Sequence, residues 1–335
     1  MEAATLHIDQ LAVYGRVDPT RTTALRNMFA NDMKHRFIEL CKVVVETVYT
    51  KDCFGLKRET PMRVYQMNSP IETGAFAYPL SADKIKAFEQ WLQEQIDRGM
   101  LTIGELEQLG VGHQEQWTDK YVLDSYKRGV MRARYEMIKA GMAVPTIEAT
   151  GGIMMAMSTP FHIDRLGLLY ARVFTDLKGI TGVMDTQISR ILAQGIADGD
   201  GPALLARKMV GTINGTGAGD LSLTDTLGRF IPAQRRAETL ARTEVIRAHH
   251  VATVQEYRNW AAENVIVQAE FMTAGDNRVC DTCASMQGNI YTLDQIEGVI
   301  PVHPQCRCIA LPYVEGMEKI PTAIMPKGKL AGTKR

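Results

Sequence analysis

The chain has 335 residues, 45% of them hydrophobic, and its 38 Lys and Arg residues balance 38 Asp and Glu residues. This length is enough for two or three domains with their own cores, and a net charge of zero argues against a dedicated nucleic-acid coat protein. The longest apolar run, around Val43 to Val48, contains Glu46 and is too short to cross a bilayer. We therefore expect a soluble protein that is made in the cytoplasm.

Helical patterns dominate the first part of the chain. Residues 1–17 show little periodicity and are predicted to form an extended arm. The Asp18-Pro19-Thr20 sequence then signals a helix start, and apolar residues recur at spacings of three and four as far as Tyr49. The Pro and the two adjacent glycines of residues 141–152 are typical of a linker. The helices predicted here are 18–49, 81–99, 101–109 and 114–140.

The middle of the chain is predicted to be helical as well. A helix starts at Ser158-Thr159-Pro160 and is expected to stop at Gly179. Residues 211–219 are rich in glycine, but no lysine follows and no strand precedes them, so a flexible connector is favoured over a phosphate-binding loop. Val265 to Phe271 alternates like a strand. The helices predicted here are 158–179, 181–195, 202–210 and one that begins near Pro232.

Together these patterns predict a mainly α protein. Its N-terminal and middle regions are expected to be elongated and helical, and a small α+β C-terminal module is expected to be knotted by a Cys/His cluster. The predicted domains are an extended arm (1–17), a helical N-terminal region (18–150), a helical middle domain (151–262), a small Cys/His-rich module (263–314) and a flexible basic tail (315–335).

The cysteine-rich stretch near the C-terminus carries the clearest chemistry. Cys280 and Cys283 are separated by two residues, a spacing with which two thiolates can bind one metal from a tight turn, and His303, Cys306 and Cys308 follow within the same segment. We therefore predict a structural zinc site. Four ligands suffice for zinc and five are present, so one of His303, Cys306 and Cys308 is expected to be a bystander.

Two other interpretations of this cluster stay open. Disulfides would need an oxidising compartment, and the chain begins with no apolar signal segment. A catalytic zinc, as in zinc-dependent deaminases, would need His-x-Glu followed by Pro-Cys-x-x-Cys. Val279 stands in place of that Pro, and no Glu follows His249 or His250 at the required offset. The nearest carboxylates, Glu270 and Glu297, have no recognisable catalytic spacing.

Several short motifs between Ala237 and Pro312 also occur in a specific order. They are Ala241-Arg242-Thr243-Glu244 with Arg247-Ala248 one turn later, Asp276-Asn-Arg278-Val-Cys280-Asp-Thr-Cys283, Gly288, His303-Pro304-Gln-Cys306-Arg307-Cys308 and Pro312. In this order and spacing the segment resembles the Mu F-like phage head morphogenesis family, also called minor head or minor capsid proteins. The resemblance covers roughly the last third of the chain.

The resemblance implies a non-enzymatic virion component that joins the head during assembly. It implies a location inside the capsid at or near the portal, with the portal protein and capsid or scaffold proteins as partners. Some family members associate with DNA, so contact with the packaged DNA is a further expectation. A zinc-dependent hydrolase or deaminase and a zinc-finger DNA-binding protein are the alternative functions.

We predict two roles for the charged residues near the cysteine-rich stretch. Arg242 and Glu244 on the last long helix, with Asp276 and Arg278 ahead of the first thiolate, are predicted to form a structural clasp, because a guanidinium can fork onto a carboxylate. Basic residues of that helix and of the tail suit sequence-independent contact with phosphates. The candidates for DNA or partner contact are Arg235, Arg236, Arg247, Lys327 and Lys329.

Overall fold

The computed structural model describes residues 18–56, 75–78, 80–102, 116–215, 231–261 and 268–313. In these residues the fold is mainly helical with one small sheet near the C-terminus, which confirms the predicted fold class. None of the described helices is long and apolar enough to span a membrane. The elements are α1 (Thr23–Val45, continued by a π-helical turn at Glu46–Thr50), α2 (Ser81–Gly99), α3 (Asp119–Lys139), α4 (Ile153–Ala156), α5 (Pro160–Asp198), α6 (Pro202–Asn214), α7 (Ala233–Ala261), β1 (Gln268–Met272), α8 (Asp281–Met286), β2 (Ile290–Thr292), α9 (Leu293–Ile296) and β3 (Ile309–Tyr313).

The chain divides into two compact units, each built from separate stretches of sequence. We name the first the cysteine unit, because it contains the cysteine-rich stretch. The domain boundaries predicted near residues 150 and 262 stay predictions. The cysteine unit takes its described residues from Met1–Asn27, Lys120–Tyr170 and Arg242–Arg335, and the second unit takes its described residues from Met28–Asp119 and Ala171–Ala241.

Apolar and aromatic side chains around α2 form the core of the second unit. α2 buries Phe88, Leu92 and Ile96, which are spaced four residues apart and therefore share one face. The ring of Phe88 lies with its centroid 5.2 Å from that of Phe54 and 5.2 Å from that of Trp91. The bounds predicted for this helix agree with those observed, because its apolar periodicity is a local signal; its N-cap is Leu80, which forms no side-chain capping hydrogen bond.

The cysteine unit is built around a three-stranded antiparallel sheet with the order β2-β1-β3. In the central strand, Ala269 pairs with Tyr291 on one side and with Pro312 on the other. The hydroxyl of Tyr257 on α7 donates to the carbonyl of Ala310 at 3.2 Å, which fixes the helix to β3. The buried core of this unit includes Ala133, Met137, Ile246, Val254, Tyr257, Phe271, Ile296 and Ile300, together with Cys283, Cys306 and Cys308.

Helix α5 differs from the sequence-based expectation. A stop at Gly179 was predicted, but one helix runs from Pro160 to Asp198, so the predicted break is wrong. A glycine costs only about 1 kcal/mol in a helix interior. The buried stripe continues past it through Leu177, Met184 and Ile188, and burial of these side chains outweighs that cost. The glycine-rich residues 211–219, predicted to form a flexible connector, also differ from the prediction in their first part. Helix α6 continues to Asn214, and residues 216–219 lie outside the described part of the chain.

Two glycines on helices should respond to alanine in opposite directions. A Cβ at Gly129 would lie 2.4 Å from the carbonyl oxygen of His249 and 2.7 Å from the Cβ of Ala252, so Gly129→Ala should destabilise the protein by about 1–3 kcal/mol or more. A Cβ at Gly179 would meet nothing within 4 Å, so Gly179→Ala should stabilise it by about 1 kcal/mol. Chemical denaturation of the two variants measures both effects, and equal midpoints would contradict this packing.

A buried polar network joins α3, α5 and α7 in the cysteine unit. The carboxylate of Glu256 accepts from Nε of Arg134 at 2.7 Å, from Nε2 of His162 at 3.2 Å and from the indole of Trp260 at 2.9 Å. The hydroxyl of Tyr126 donates to Nδ1 of His162 at 2.8 Å. Burial raises the pKa of Glu256, but the hydrogen bond from His162 and the charge of Arg134 outweigh it, so the pKa lies below its ordinary value.

Candidate metal centre

Two tight turns present four of the five candidate ligands, and Cys308 follows the second turn. Cys280 is the N-cap of α8, and its Sγ accepts from the backbone N–H of Cys283 at 3.4 Å. The second turn precedes β3, where the N–H of Cys306 donates to the carbonyl of His303 at 3.1 Å. Gln305 lies between them with a φ of 63°, a left-handed conformation that closes the turn. Each turn therefore carries two candidate ligands, which are separated by two residues in the chain.

The structure places the five candidate ligands in two groups of three that share Cys283. The ligand atoms of Cys280, Cys283 and His303 lie within 4.8 Å of one another, and so do those of Cys283, Cys306 and Cys308. Ligand atoms of a tetrahedral zinc are about 3.3–3.8 Å apart, given zinc–ligand distances of about 2.0–2.3 Å. Cys283 belongs to both groups. The two halves of the motif therefore meet at Cys283, and the donor types of both groups suit zinc.

The six cysteines, all of which lie in described residues, are free thiols. The hydrogen bond from Cys308 lowers the pKa of Cys306 to about 5 although burial opposes it, and burial raises the pKa of Cys283 to about 12. In the second unit, burial raises the pKa of Cys41 and of Cys53 to about 12. Metals bind the thiolate form of cysteine, and a lowered thiol pKa favours that form.

A carboxylate and two arginines support the cluster from one side. Asp276 accepts from both terminal nitrogens of Arg307, at 2.6 and 2.7 Å, and from Arg278 at 3.1 Å. The hydrogen bonds from Arg307 outweigh the effect of burial and hold the pKa of Asp276 well below its ordinary value. Arg307 lies between Cys306 and Cys308 in the chain. The fork onto Asp276 therefore comes from within the ligand motif, whereas the sequence placed a forking arginine at Arg242.

Loss of this fork should destabilise the cysteine unit. Arg307→Ala removes a bidentate, largely buried hydrogen-bond pair and should cost about 1.5–3 kcal/mol. Arg278→Ala is the matched control, because the side chain of Arg278 is 73% exposed and Asp276 keeps Arg307; it should cost less than about 1 kcal/mol. Denaturant unfolding of both variants measures the difference, and equal losses would contradict the assignment.

The same ion pair predicts a dependence on pH. The folded-state pKa of Asp276 is lowered, so the stabilisation is complete above the ordinary Asp pKa of about 4 and is lost as the pH falls through the lowered value. The stability gap between the wild type and Arg307→Ala should therefore narrow as the pH falls below about 4. A gap that stays constant at acid pH would show that the pair is not the source of the loss.

The other predicted site residues lie at several places. Glu244 is buried and accepts from Nε of Arg247 at 3.0 Å on the same helix, and the hydroxyl of Thr243 accepts from the N–H of Gln305 at 3.1 Å. Arg242 lies half-buried beside Thr243. The roles of Arg242 and Glu244 as a clasp stay predictions. Among the DNA candidates, Arg235 is exposed, Arg236 is half-buried, and Lys327 and Lys329 lie outside the described residues.

A catalytic function finds little support at Glu270 and Glu297, the two glutamates considered as bases. Glu297 forms ion pairs with Arg165 and, at 2.8 Å, with Arg258. The hydrogen bond from Arg258 outweighs burial and lowers the pKa of Glu297, which is opposite to what a general base at neutral pH needs. Glu270 lies on β1 at a position paired with both neighbouring strands. Both residues are accounted for as parts of the fold.

Comparisons with known proteins give one match. Residues 186–311 match the family described as phage Mu protein F like protein. No curated protein and no solved structure shows significant similarity to the chain. The matched stretch begins within α5, ends in β3 and contains all five candidate ligands. Over residues 186–311 the chain is therefore similar to the family of phage Mu protein F like proteins, and the resemblance predicted from the sequence is confirmed for this stretch.

Proposed function

We propose that this chain is a structural protein of a phage head that acts during head assembly, at or near the portal and inside the capsid. The match of residues 186–311 to the Mu F-like family carries the proposal, because it supports a head-related structural protein. The location at the portal and the partnership with portal, capsid and scaffold proteins are its finer parts, and they come from what the resemblance implies. The work assigned to the chain is binding and assembly.

A structural zinc ion is part of the same proposal. The sheet of the cysteine unit has only three short strands, and three of the candidate ligands belong to its buried core. A metal that binds the folded unit ties its two turns together, and its binding free energy adds to the stability of the fold. Zinc would be held by Cys and His side chains from the two turns and would have no catalytic role.

Purified particles of the phage that encodes the chain provide the test. Quantitative mass spectrometry should find a few copies in each head, and chemical crosslinking should connect them to the portal protein. A phage that lacks the coding sequence should give empty or unstable heads. The wild-type chain supplied in trans should restore filled heads, Cys283→Ser should not, and Cys41→Ser is the matched control in the second unit.

Two outcomes would overturn the proposal. Infectious, filled heads formed without the chain would exclude a role in assembly, and absence of the chain from purified particles would exclude a virion component. The enzyme alternative has its own measurement. If Glu270→Gln leaves assembly unchanged and the wild-type protein shows no turnover of nucleotides or peptides, a zinc hydrolase or deaminase is excluded.

Contact with packaged DNA is one part of the proposal, and the charged residues of α7 provide its test. Arg235 is exposed on α7, whereas Arg247 on the same helix is paired with Glu244. Sequence-independent phosphate contact should weaken steeply with salt, and Arg235→Ala should reduce both the affinity and the salt slope. Arg247→Ala is the comparison, since its charge is already compensated. Absence of binding to duplex DNA even at low salt would remove DNA from the list of partners.

A further inference from the structure

Helix α3 carries a row of large apolar side chains on the side that faces solvent. On this outer side Met131 is 43% exposed, Tyr135 is 54% exposed and Ile138 is 39% exposed. They are four and three residues apart, so they lie in one row about 10 Å long on the same face of the helix. The opposite face is buried and is formed by Tyr126, Val130, Ala133 and Met137. The helix is therefore apolar on two sides, although only one of them faces the core.

Basic side chains border the exposed row on both sides. Lys127 lies on one side and Lys139 on the other, and neither forms an ion pair with any residue that the structure describes. Asp124 is the one exposed carboxylate of α3, and it is already paired with Arg128, where the charged atoms are 3.9 Å apart. The surface around the row therefore has a net positive charge.

We infer that this outer face of α3 is the docking site for an amphipathic helix of another head protein. The apolar side of that helix covers Met131, Tyr135 and Ile138, and its acidic residues face Lys127 and Lys139. The inference rests on the proposed function for the class of the partner, and it adds the surface that binds the partner. Spacings of four and three are those at which two helices pack along a seam, and the charges beside such a seam select the partner.

The same features disfavour three other occupants. In a pair of two copies of α3, basic flanks would meet basic flanks whether the helices ran parallel or antiparallel. Duplex DNA would satisfy the lysines but would leave the three apolar side chains without an apolar partner. A helix that lies on a membrane has a wide apolar face, whereas this row covers only about 60° of the helix circumference. A narrow apolar row between basic flanks fits an acidic amphipathic helix best.

The contacts of α3 with α7 hold the row in a fixed position. The two helices approach closely at Gly129, where an added Cβ would lie 2.4 Å from the carbonyl oxygen of His249. One turn earlier, the hydroxyl of Ser125 donates to the carbonyl of Val245 at 2.5 Å. Because the inner side of α3 is fixed in this way, the outer row needs little ordering before a partner binds, which lowers the entropic cost of binding.

A photoreactive p-benzoylphenylalanine in place of Tyr135 tests the docking site in the full chain. A surface of this size gives a weak contact, and irradiation captures weak contacts covalently. Cells are irradiated during head assembly, and the crosslinked peptides are identified by mass spectrometry. The expected adduct joins residue 135 to a helix of another head protein that has Asp or Glu beside its apolar side. The same probe at Tyr49, which is 49% exposed in the second unit, is the matched control.

Charge reversal tests the acidic character of the partner. Lys127→Glu with Lys139→Glu, combined with the probe at residue 135, should lower the adduct yield by about tenfold, because repulsion replaces attraction at two positions. Lys86→Glu with Lys178→Glu is the matched control, since both lysines are exposed on helices of the second unit. This control should change the yield by less than about twofold, because charges far from the contact are screened by salt.

The outcomes separate this inference from the proposed function. Adducts to a second copy, to DNA, to lipid or to the chain itself would overturn the docking site, and so would a yield no higher than that of the Tyr49 control. A yield that charge reversal leaves unchanged would overturn the acidic partner. An adduct to an acidic helix of a host protein would support the surface and contradict the head function. The probe in the otherwise unchanged chain decides the docking site even where a charge variant fails to fold.

Discussion

Removal of zinc is expected to lower the stability of the cysteine unit by about 4 kcal/mol or more when the wild type is compared in excess chelator and at free zinc about 1,000 times its dissociation constant. The metal binds the folded unit, so its binding free energy adds to the free energy of unfolding. For a unit of this size the loss corresponds to a fall in Tm of roughly 8–16 °C. Scanning calorimetry with and without zinc measures it.

Variants decide whether that effect comes from the cluster. Cys283 belongs to both groups of ligand atoms, so Cys283→Ala should abolish the difference between zinc and chelator. Cys53→Ala is the matched control, because Cys53 is a buried cysteine of the second unit; it should lower stability but keep the full zinc dependence. A wild type that melts at the same temperature in zinc and in chelator would contradict a structural metal.

The second large effect is expected from Glu256→Ala, which should cost about 3–5 kcal/mol in the free energy of unfolding. The variant leaves the guanidinium of Arg134 inside the protein without its carboxylate, and it removes the acceptor of His162 and Trp260. An uncompensated buried charge is among the most destabilising consequences of a single substitution. Urea denaturation at neutral pH is the direct measurement.

Two comparisons test the physical cause. Asp124→Ala removes an exposed ion pair with Arg128, where the charged atoms are 3.9 Å apart, and should cost less than about 1 kcal/mol. Replacement of both buried partners, Glu256→Leu with Arg134→Met, should recover part of the loss, because no charge then remains buried. A double variant as unstable as Glu256→Ala would show that shape, not charge, dominates at this position.

The hydrogen bonds and the ion pair of Glu256 also predict how stability changes at acid pH. The folded-state pKa of Glu256 is lowered, so its stabilisation is fully present above the ordinary Glu pKa of about 4.3 and is lost as the pH falls through the lowered value. The difference in stability between the wild type and Glu256→Ala should therefore shrink below about pH 4. A difference that grows at acid pH would have the wrong sign.

Local signals explain which parts of the fold could be predicted. The bounds of α2 follow from the sequence because the spacing of Phe88, Leu92 and Ile96 and the final glycine are signals within the helix itself. The break at Gly179 was predicted for the same reason, and it is wrong because burial along the rest of α5 outweighs one local preference. The division into units depends on contacts between distant stretches, for which the sequence contains no local signal.

The candidate site shows the same contrast. The five ligand candidates stand in two short motifs, so their spacing alone indicated that they would meet. Arg307 lies inside one of these motifs, and its charge beside Cys306 was a signal that could have identified the partner of Asp276. The partners of Glu256 could not be found in this way: Arg134 and His162 are 122 and 94 residues away in the chain.

The discontinuous make-up of the cysteine unit has a consequence for synthesis. Its middle strand pairs with β3, which ends at Tyr313, and its helical residues 120–170 are translated long before that strand. Until the ribosome has translated the last third of the chain, the sheet cannot form. During that time the apolar faces of those helices are exposed to chaperones or to other nascent chains. The unit can close only after translation has passed β3, and the many contacts between distant residues should make that closing step slow.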